Sequence, residues 1–580
     1  MTCRMVRSGS FAAFFGALAL VFLAGCTETN TEFVERPQFN PPPDAVSGFL
    51  GYYTASSKQT TCGNCHVSFQ GQWVTTAHAG AYDDVTNSGG AQPFCYSCHT
   101  VNGRGNSVAV GPDSLTAGYD AVPDAAYHDV QCESCHGPGY THVSSPSTDN
   151  HPLARAGIYG MKGAPSEANK DTSASCGGCH SGDHAPFVEQ WSQTGHADSA
   201  ANASPAGTTA VPGCGAQCHE GRAVLARLNG SPSHFVEKDS VGQTTTLPPA
   251  TCAVCHDPHG SPYSKQLRAP IDAPDVTVNL CMQCHNRNTT PATNFSNSTA
   301  TVTKRGAHAA QGPILMGAGA GYIPQNFVYD SNRAYTSHAS TKNPRLCAGC
   351  HVNGFTVVDG VAPGMDFVSV GHLFSPDPCL DPNGVPVKDN SCAYLPSTTR
   401  FWGILNQSGC VNSGCHASAD VAATALVNER ATIKTLANQI WNDLDPTVNT
   451  GGAPYISTGD AGALRKLLFG GAGGVGANPI VNGVQAFNAT DLVVSPAEGA
   501  LFNAMMLAED LYDHKDGSYG VHNPFYYEAL LAANINELQL VYAAYLPGPP
   551  SPGVQTLIDK ALSRPGISYT AGQVKLGAAH

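Results

Sequence analysis

The chain has 580 residues, only 12% of them charged, with 62 Gly, 41 Pro, 22 Cys, 23 His and a formal net charge of −14. So low a charge density excludes a coiled coil, and the acidic balance argues against a nucleic-acid partner. The excess of Gly and Pro calls for long loops and short elements. A chain of this length would ordinarily make about three or four domains, or fewer if something other than side chains fills the core.

Arg4 and Arg7 precede a 14-residue apolar run, Phe11 to Ala24. A spanning helix needs about 20 residues, so the run fits a secretory signal rather than a membrane anchor. It ends in Leu23-Ala24-Gly25-Cys26, which resembles the processing site of bacterial lipoproteins. That resemblance implies a signal peptide over 1–25, a lipid on Cys26 and, with Thr27 in place of Asp, an outer-membrane destination, on the periplasmic or the cell-surface side. An uncleaved anchor and ordinary secretion with an unmodified Cys26 are the alternatives. Residues 26–50 read as the lipidated N-terminus and a Pro- and Thr-rich linker. No later segment is apolar enough to span a bilayer.

Seven CxxCH motifs follow, at Cys62/Cys65, Cys95/Cys98, Cys132/Cys135, Cys176/Cys179, Cys252/Cys255, Cys281/Cys284 and Cys347/Cys350. Two thiols three positions apart can each add to one vinyl group of haem, and the next residue then lies under the iron as proximal ligand. Zinc also uses CxxC pairs. It does not require His after every second Cys, and an oxidising compartment disfavours dithiol zinc sites. Two looser pairs, Cys214/Cys218 and Cys410/Cys415, are each followed by His. The proximal set is then His66, His99, His136, His180, His219, His256, His285, His351 and His416, and the cofactor is haem c, about nine copies, covalently attached. Nine sites use 18 of the 22 Cys. Cys3 falls in the signal, and Cys26 is the lipid site. Cys379 and Cys392 remain; a disulfide is expected there in an oxidising compartment, with two thiols as the alternative.

The first six sites form two copies of a three-haem module. Trp73 to Ala79 and Trp191 to Ala197 both read W-x-x-T-x-H-A, and corresponding motifs are offset by 114, 119 and 120 residues. The second site of the second copy is Cys214/Cys218, so the repeat itself demands a haem there. The divisions read as 51–160 for the first module, 161–290 for the second, 291–420 for the three-haem region with the disulfide loop, whose first motif, Cys281/Cys284, stands just before that bound, and 421–580 for a haem-free helical region.

The run from Cys62 to His142, with W-x-x-T-x-H-A and CESCHGPG, resembles the tetrahaem cytochromes that carry electrons from hydroxylamine oxidation, and their octahaem relatives. The lipobox beside so many haem motifs is similar to the outer-membrane cytochromes of metal-respiring bacteria. Together these resemblances cover roughly residues 60–420. They imply other cytochromes or redox proteins as partners, with outer-membrane lipid at the anchor and extracellular metal oxides or a porin as further candidates.

The surplus of His in a chain with eight Met argues for two imidazoles per iron, which leaves no open position and suits electron transfer. The distal candidates are His78, His128, His142, His196, His259, His308, His338, His372 and His522. Linear order does not assign them to irons. Helical patterns in the C-terminal region run over about 421–444, 459–468, 496–513, 524–545 and 553–563, the third with a one-sided apolar face that includes Ala500, Leu501, Ala504 and Met505. Met505 and Met506 read as core. This region either caps the cofactors, lending His514 or His522 to a haem, or docks a partner.

The fold class expected is mainly α with low regularity, loops and short helices wrapping closely packed porphyrins. The function expected is a one-electron carrier of outer-membrane or extracellular respiration, with no catalytic residue. Two alternatives stand: an oxidoreductase of nitrite, hydroxylamine or tetrathionate with one open haem, and a subunit of a haem filament.

Overall fold

The computed structural model describes residues 46–106, 117–152, 175–182, 184–197, 218, 221–228, 249–286, 291, 309–317, 319–330, 337–357, 367–376, 410–411, 416–440, 464, 478–488, 493–507, 518, 520–546 and 548–572. The lipobox with Cys26, and Cys214, His219, His308, Cys379, Cys392 and Cys415, lie outside the described residues. No helix of the described residues is long and apolar enough to cross a membrane.

The architecture is mainly α with little regular structure. Among the described residues strands occur only as short antiparallel pairs: β1 (Tyr52–Thr54) with β2 (Gln59–Thr60), β3 (Phe327–Tyr329) with β8 (Ile567–Tyr569), β4 (Phe355–Val357) with β5 (Phe367–Ser369), and β6 (Ile480–Val481) with β7 (Val484–Gln485). In the motif-bearing part the helices are brief, among them α1 (Val67–Trp73) and α2 (Phe187–Ser192). The C-terminal part has the long ones: α3 (Ala419–Ile440), α4 (Pro496–Leu507), α5 (Pro524–Tyr542) and α6 (Pro552–Leu562).

Apolar burial is divided unequally. One described cluster of 30 buried residues joins α3 to α6 with Ala310, Ile314, Ala320 and Phe327. The clusters of buried residues beneath the cysteine motifs have three or four members each. Among the described residues, side chains therefore build a conventional core in the C-terminal part, and the motif-bearing part needs another apolar filler. Through β3–β8 pairing, residues 309–330 belong to the same packed body as the C-terminal helices.

The expected one-sided face of α4 is not what forms. Ala497, Ala500, Leu501, Phe502, Asn503, Ala504 and Met506 are all buried, because α4 packs between several elements rather than on a surface. Asn503 is satisfied inside the core: its carbonyl oxygen accepts from Tyr322 N at 2.7 Å, and its amide donates to Tyr322 O and to Asn534 Oδ1, each at 2.7 Å. α5 starts as expected at Pro524, with the Asn523 side chain accepting from Tyr526 N.

Gly499 shows how tight this packing is. A Cβ there would lie 2.1 Å from Tyr322 Cγ, a ring atom held by the backbone. Gly499→Ala is therefore expected to lower stability by about 1–3 kcal/mol through overpacking, read as a fall in the thermal midpoint. An unchanged midpoint would mean that Tyr322 can move away.

Candidate haem sites

Each CxxCH motif winds into one helical turn. In the first, fourth, fifth and sixth of them the His N–H reaches back to the first Cys carbonyl: His66 to Cys62 at 3.0 Å, His180 to Cys176 at 2.8 Å, His256 to Cys252 at 2.9 Å and His285 to Cys281 at 3.0 Å. The turn puts both thiols on one face.

The repeat has a structural reason. Trp73 Nε1 donates to Val130 O at 2.9 Å, and Trp191 Nε1 to Ala250 O at 2.9 Å; both acceptors lie two residues before the third motif of their copy. Thr76 Oγ1 and Thr194 Oγ1 each bond the carbonyl of their own Trp at 2.8 Å. The indole thus ties the first motif's helix to the third motif, and the Thr turns the chain so that His78 or His196 projects beyond it.

The structure brings imidazoles together in pairs. Ring centroids lie 6.5 Å apart for His66 and His142, 6.3 Å for His136 and His259, and 6.2 Å for His78 and His180. They lie 6.2 Å apart for His196 and His285, 6.2 Å for His256 and His372, and 6.1 Å for His351 and His522. In every pair one ring belongs to a cysteine motif and the other to a distal candidate. Two metal–nitrogen bonds of about 2 Å, with half an imidazole at each end, account for a centroid separation of about 6 Å. The spacing fits one iron between each pair.

Hydrogen bonds orient the rings. Nδ1 faces a backbone carbonyl in His99 (Ala81 O, 2.8 Å), His136 (Pro152 O, 3.0 Å), His256 (Lys265 O, 2.8 Å), His351 (Phe374 O, 2.9 Å) and His372 (Val370 O, 3.3 Å). A carbonyl only accepts, so Nδ1 carries the proton and Nε2 keeps a lone pair for a metal. Burial lowers the pKa of His78 to about 4, helped by the imidazoles of His180 and His99; this favours the neutral, ligating form.

Thiols of different motifs also meet. Cys62 faces Cys132, Cys176 faces Cys252, and Cys281 faces Cys347. Cys98 faces Cys179, and Cys284 faces Cys218. The first three contacts join first cysteines, and the last two join second cysteines.

The spacing treats all motif cysteines alike, and the structure does not. Cys65, Cys135, Cys255 and Cys350, all expected as haem anchors, take no part in these five contacts. Cys65 is exposed, whereas the other described motif cysteines are half-buried. Its N–H bonds Cys62 O at 3.1 Å, so the turn itself is intact. α1 leaves the turn at once from Val67. Cys350 is half-buried like the others, inside the turn Cys347–His351; Cys347, on the same face of that turn, makes the contact with the Cys281 motif. Cys65 and Cys350 both keep the local geometry of an anchor. Cys95 also stands outside the five contacts, with Sγ accepting from Gln92 N at 3.5 Å.

Two expected distal ligands stand differently. His128 stacks flat on Tyr82 at 3.4 Å, beside Tyr119; no described motif histidine pairs with it. His338 places Nδ1 against Val521 O rather than forming one of the six pairs.

Gln190 and Glu133 escaped the sequence reading. Gln190 bonds Val368 O at 2.8 Å and Val370 N at 3.0 Å, fixing the β4–β5 hairpin whose end carries His372. Nothing in its spacing signals this. Glu133 lies inside CESCH and is fully buried. Its carboxylate accepts from Leu50 N (2.9 Å), Gly51 N (2.7 Å) and Gly139 N (2.7 Å). Burial pushes its pKa up to about 7, against the pull of those three N–H groups.

A chain of one-turn CxxCH sites with paired imidazoles and little core of its own belongs to the c-type cytochromes. Residues 61–137 match the family of cytochrome c554 and c-prime, and residues 249–290 match a doubled CXXCH motif. No curated protein and no solved structure matches the chain. The chain is a multihaem c-type cytochrome, and its family implies electron transfer.

Glu133→Ala would leave three buried N–H groups without an acceptor, at about 1–3 kcal/mol for each that water does not reach. The expected outcome is a clear fall in the thermal midpoint of the haem-loaded protein. A midpoint within a degree of wild type would show that the carboxylate does not tie residues 50, 51 and 139 together.

Proposed function

We propose that this protein is an outer-membrane lipoprotein that carries respiratory electrons one at a time along about nine haem c groups, most of them held by two histidines, toward an extracellular acceptor or a partner redox protein. The observation that carries this reading is the set of six imidazole pairs. Each pair would hold a haem iron from both sides and leave it no position for a substrate, and the bound group would supply one-electron chemistry at a potential tuned by ligands, burial and nearby charge.

The chain's own residues do the rest. The cysteines anchor each porphyrin. Backbone carbonyls hold the imidazoles in the ligating tautomer. Phe69 against His259 and Phe374 against His196, each at 4.7 Å, shield two of the distal rings and fix their planes. Contacts between cysteines of different motifs bring neighbouring porphyrins into range of one another. The lipobox at Cys26 supports the tether, and the acidic charge favours basic partners or cationic metal species at low ionic strength.

One observation favours a second reading, an oxidoreductase of small nitrogen or sulfur oxyanions. Among the described residues no imidazole pairs with His99, although its Nδ1 bond to Ala81 O orients it as a ligand. An open haem there would supply a substrate position. Turnover of nitrite, hydroxylamine or tetrathionate well above that of free haem would favour this reading.

The intact mass of the mature protein counts haems and lipid together; about nine haems and acyl chains on Cys26 are expected. The ferric protein is expected to be predominantly low-spin, and His259→Ala to convert one haem to high-spin without loss of haem. A largely high-spin wild-type protein would sink the carrier reading.

A further inference from the structure

The six pairs follow a rule of position. His78 stands in Thr76-Ala77-His78-Ala79 of the first repeat and pairs with His180, the histidine of the motif that opens the second. His196 stands in Thr194-Gly195-His196-Ala197 of the second repeat and pairs with His285, the histidine of the next motif after that repeat ends. Each T-x-H-A histidine is thus handed forward to the opening motif of the following repeat.

A third T-x-H-A occurs at Thr336-Ser337-His338-Ala339. The thiol contacts define the repeat in which it stands. In the first two repeats the opening motif touches the third motif through first cysteines, Cys62 with Cys132 and Cys176 with Cys252. Cys281 touches Cys347 in the same way. The Cys281 motif therefore opens a third repeat and the Cys347 motif closes it, with no second member between them. His351 behaves as a closing-motif histidine: like His136 and His256, it pairs with a ring from beyond the next motif, here His522. The motif that follows this third repeat is the loosely spaced Cys410/Cys415.

We propose that His338 is the distal ligand of a haem carried by Cys410, Cys415 and His416, so that the forward hand-over runs three times and the loose motif is a true haem site. The inference rests on the two-histidine reading of the previous subsection. His338 is poised for the role. Its Nδ1 donates to Val521 O, which leaves Nε2 for a metal, and Asn343 Nδ2 holds its carbonyl at 2.9 Å. The imidazoles of His522 and His416 are neighbours of its ring, His416 outside the separation of the six pairs.

The same geometry gives the C-terminal helices a task. The segment 520–523 holds His338 through the Val521 carbonyl and presents His522 to His351. Gly520 permits the approach: it has φ 91°, and a Cβ there would lie 2.7 Å from Ile433 Cγ1 of α3. α3 itself begins at Ala419, three residues after His416. One packed body thus sets the last ligands on both sides.

The test uses the full-length, haem-loaded protein, with haem number read from intact mass and spin state from the ferric electron paramagnetic resonance spectrum. Cys410→Ser with Cys415→Ser is expected to lose one haem. His338→Ala is expected to keep every haem and convert one from low-spin to high-spin. Adding His338→Ala to the double serine variant is expected to create no further high-spin haem. His338→Met serves if the alanine variant fails to mature: it should keep the haem number and raise the potential of one haem, as methionine ligation does. The proposal is overturned if the double serine variant keeps its full haem number, if His338→Ala leaves the spectrum unchanged, or if the added high-spin signal survives in the double serine background. His308→Ala, expected to be silent at this haem, identifies the rival ligand if it alone produces the change. Failure of the two-histidine reading itself is distinguishable, because wild type would already be mainly high-spin.

Discussion

Paired imidazoles drawn from distant parts of the chain are the constraint around which this molecule is organised. A motif histidine is fixed by its own helical turn, but its partner arrives from elsewhere: 76 residues away for His66 and His142, 102 for His78 and His180, and 171 for His351 and His522. The chain must therefore close long loops before a site is complete, at an entropic cost that grows only slowly with loop length. Bonding at each closed site offsets that cost. A chain dense in Gly and Pro can follow such paths because few of its residues need to sit in long regular elements.

The division of burial follows from the same constraint. Beneath the motifs, side chains form clusters of three or four buried residues, too small to stabilise independent domains. Porphyrins are large, flat and apolar, and they occupy the role that side chains leave. Polar links then replace packing between repeats: Arg104 reaches Gly178 O at 2.8 Å, and Arg227 reaches Gln283 Oε1 at 3.4 Å. The C-terminal helices, with 30 buried residues in one cluster, are the part able to fold on side-chain burial, and they carry His522 to the edge of the haem-bearing region.

The local half of each site was legible in the sequence, and the long-range half was not. The motif spacing identifies anchors and proximal histidines because one helical turn fixes them. It does not reveal that Cys65 lies exposed while its counterparts are half-buried, since what covers a thiol comes from other repeats. W-x-x-T-x-H-A identifies His78 and His196 as special, and its indole and hydroxyl bonds explain why the pattern recurs. Which motif histidine each distal candidate meets depends on how repeats pack, and no local periodicity encodes that; His142 pairs within its own repeat, whereas His259 reaches back to the one before. His128 illustrates the limit. It lies four residues upstream of a motif, yet its ring is taken by Tyr82 and Tyr119. In the C-terminal part the helix starts were legible from caps and Pro, while α4 is buried on all sides because tertiary packing decides which faces are covered. Gln190 has no sequence signal at all, since its partners lie in a hairpin about 180 residues away.

The thiol contacts give the proposed electron path a shape that chain order does not suggest. Opening and closing motifs alternate along one line, Cys62 to Cys132, Cys176 to Cys252 and Cys281 to Cys347. Cys135 also lies near Cys176, and Cys255 near Cys281, which places the three segments one after another. The second members stand beside this line: Cys98 touches the opening motif of the second repeat, and Cys218 that of the third. A haem on a side branch can differ in ligation or potential without interrupting the main path. His99, which with His416 is one of two described motif histidines outside the six pairs, is on such a branch. An open position there would let a small molecule or a partner exchange electrons with the line, so a carrier and a reactive haem are compatible within one molecule. The third repeat has no second member and therefore no such branch. Its closing motif meets the helical body through His351 and His522, and the proposed haem of Cys410, Cys415 and His416, with His338 of this repeat as its ligand, carries the path on from there.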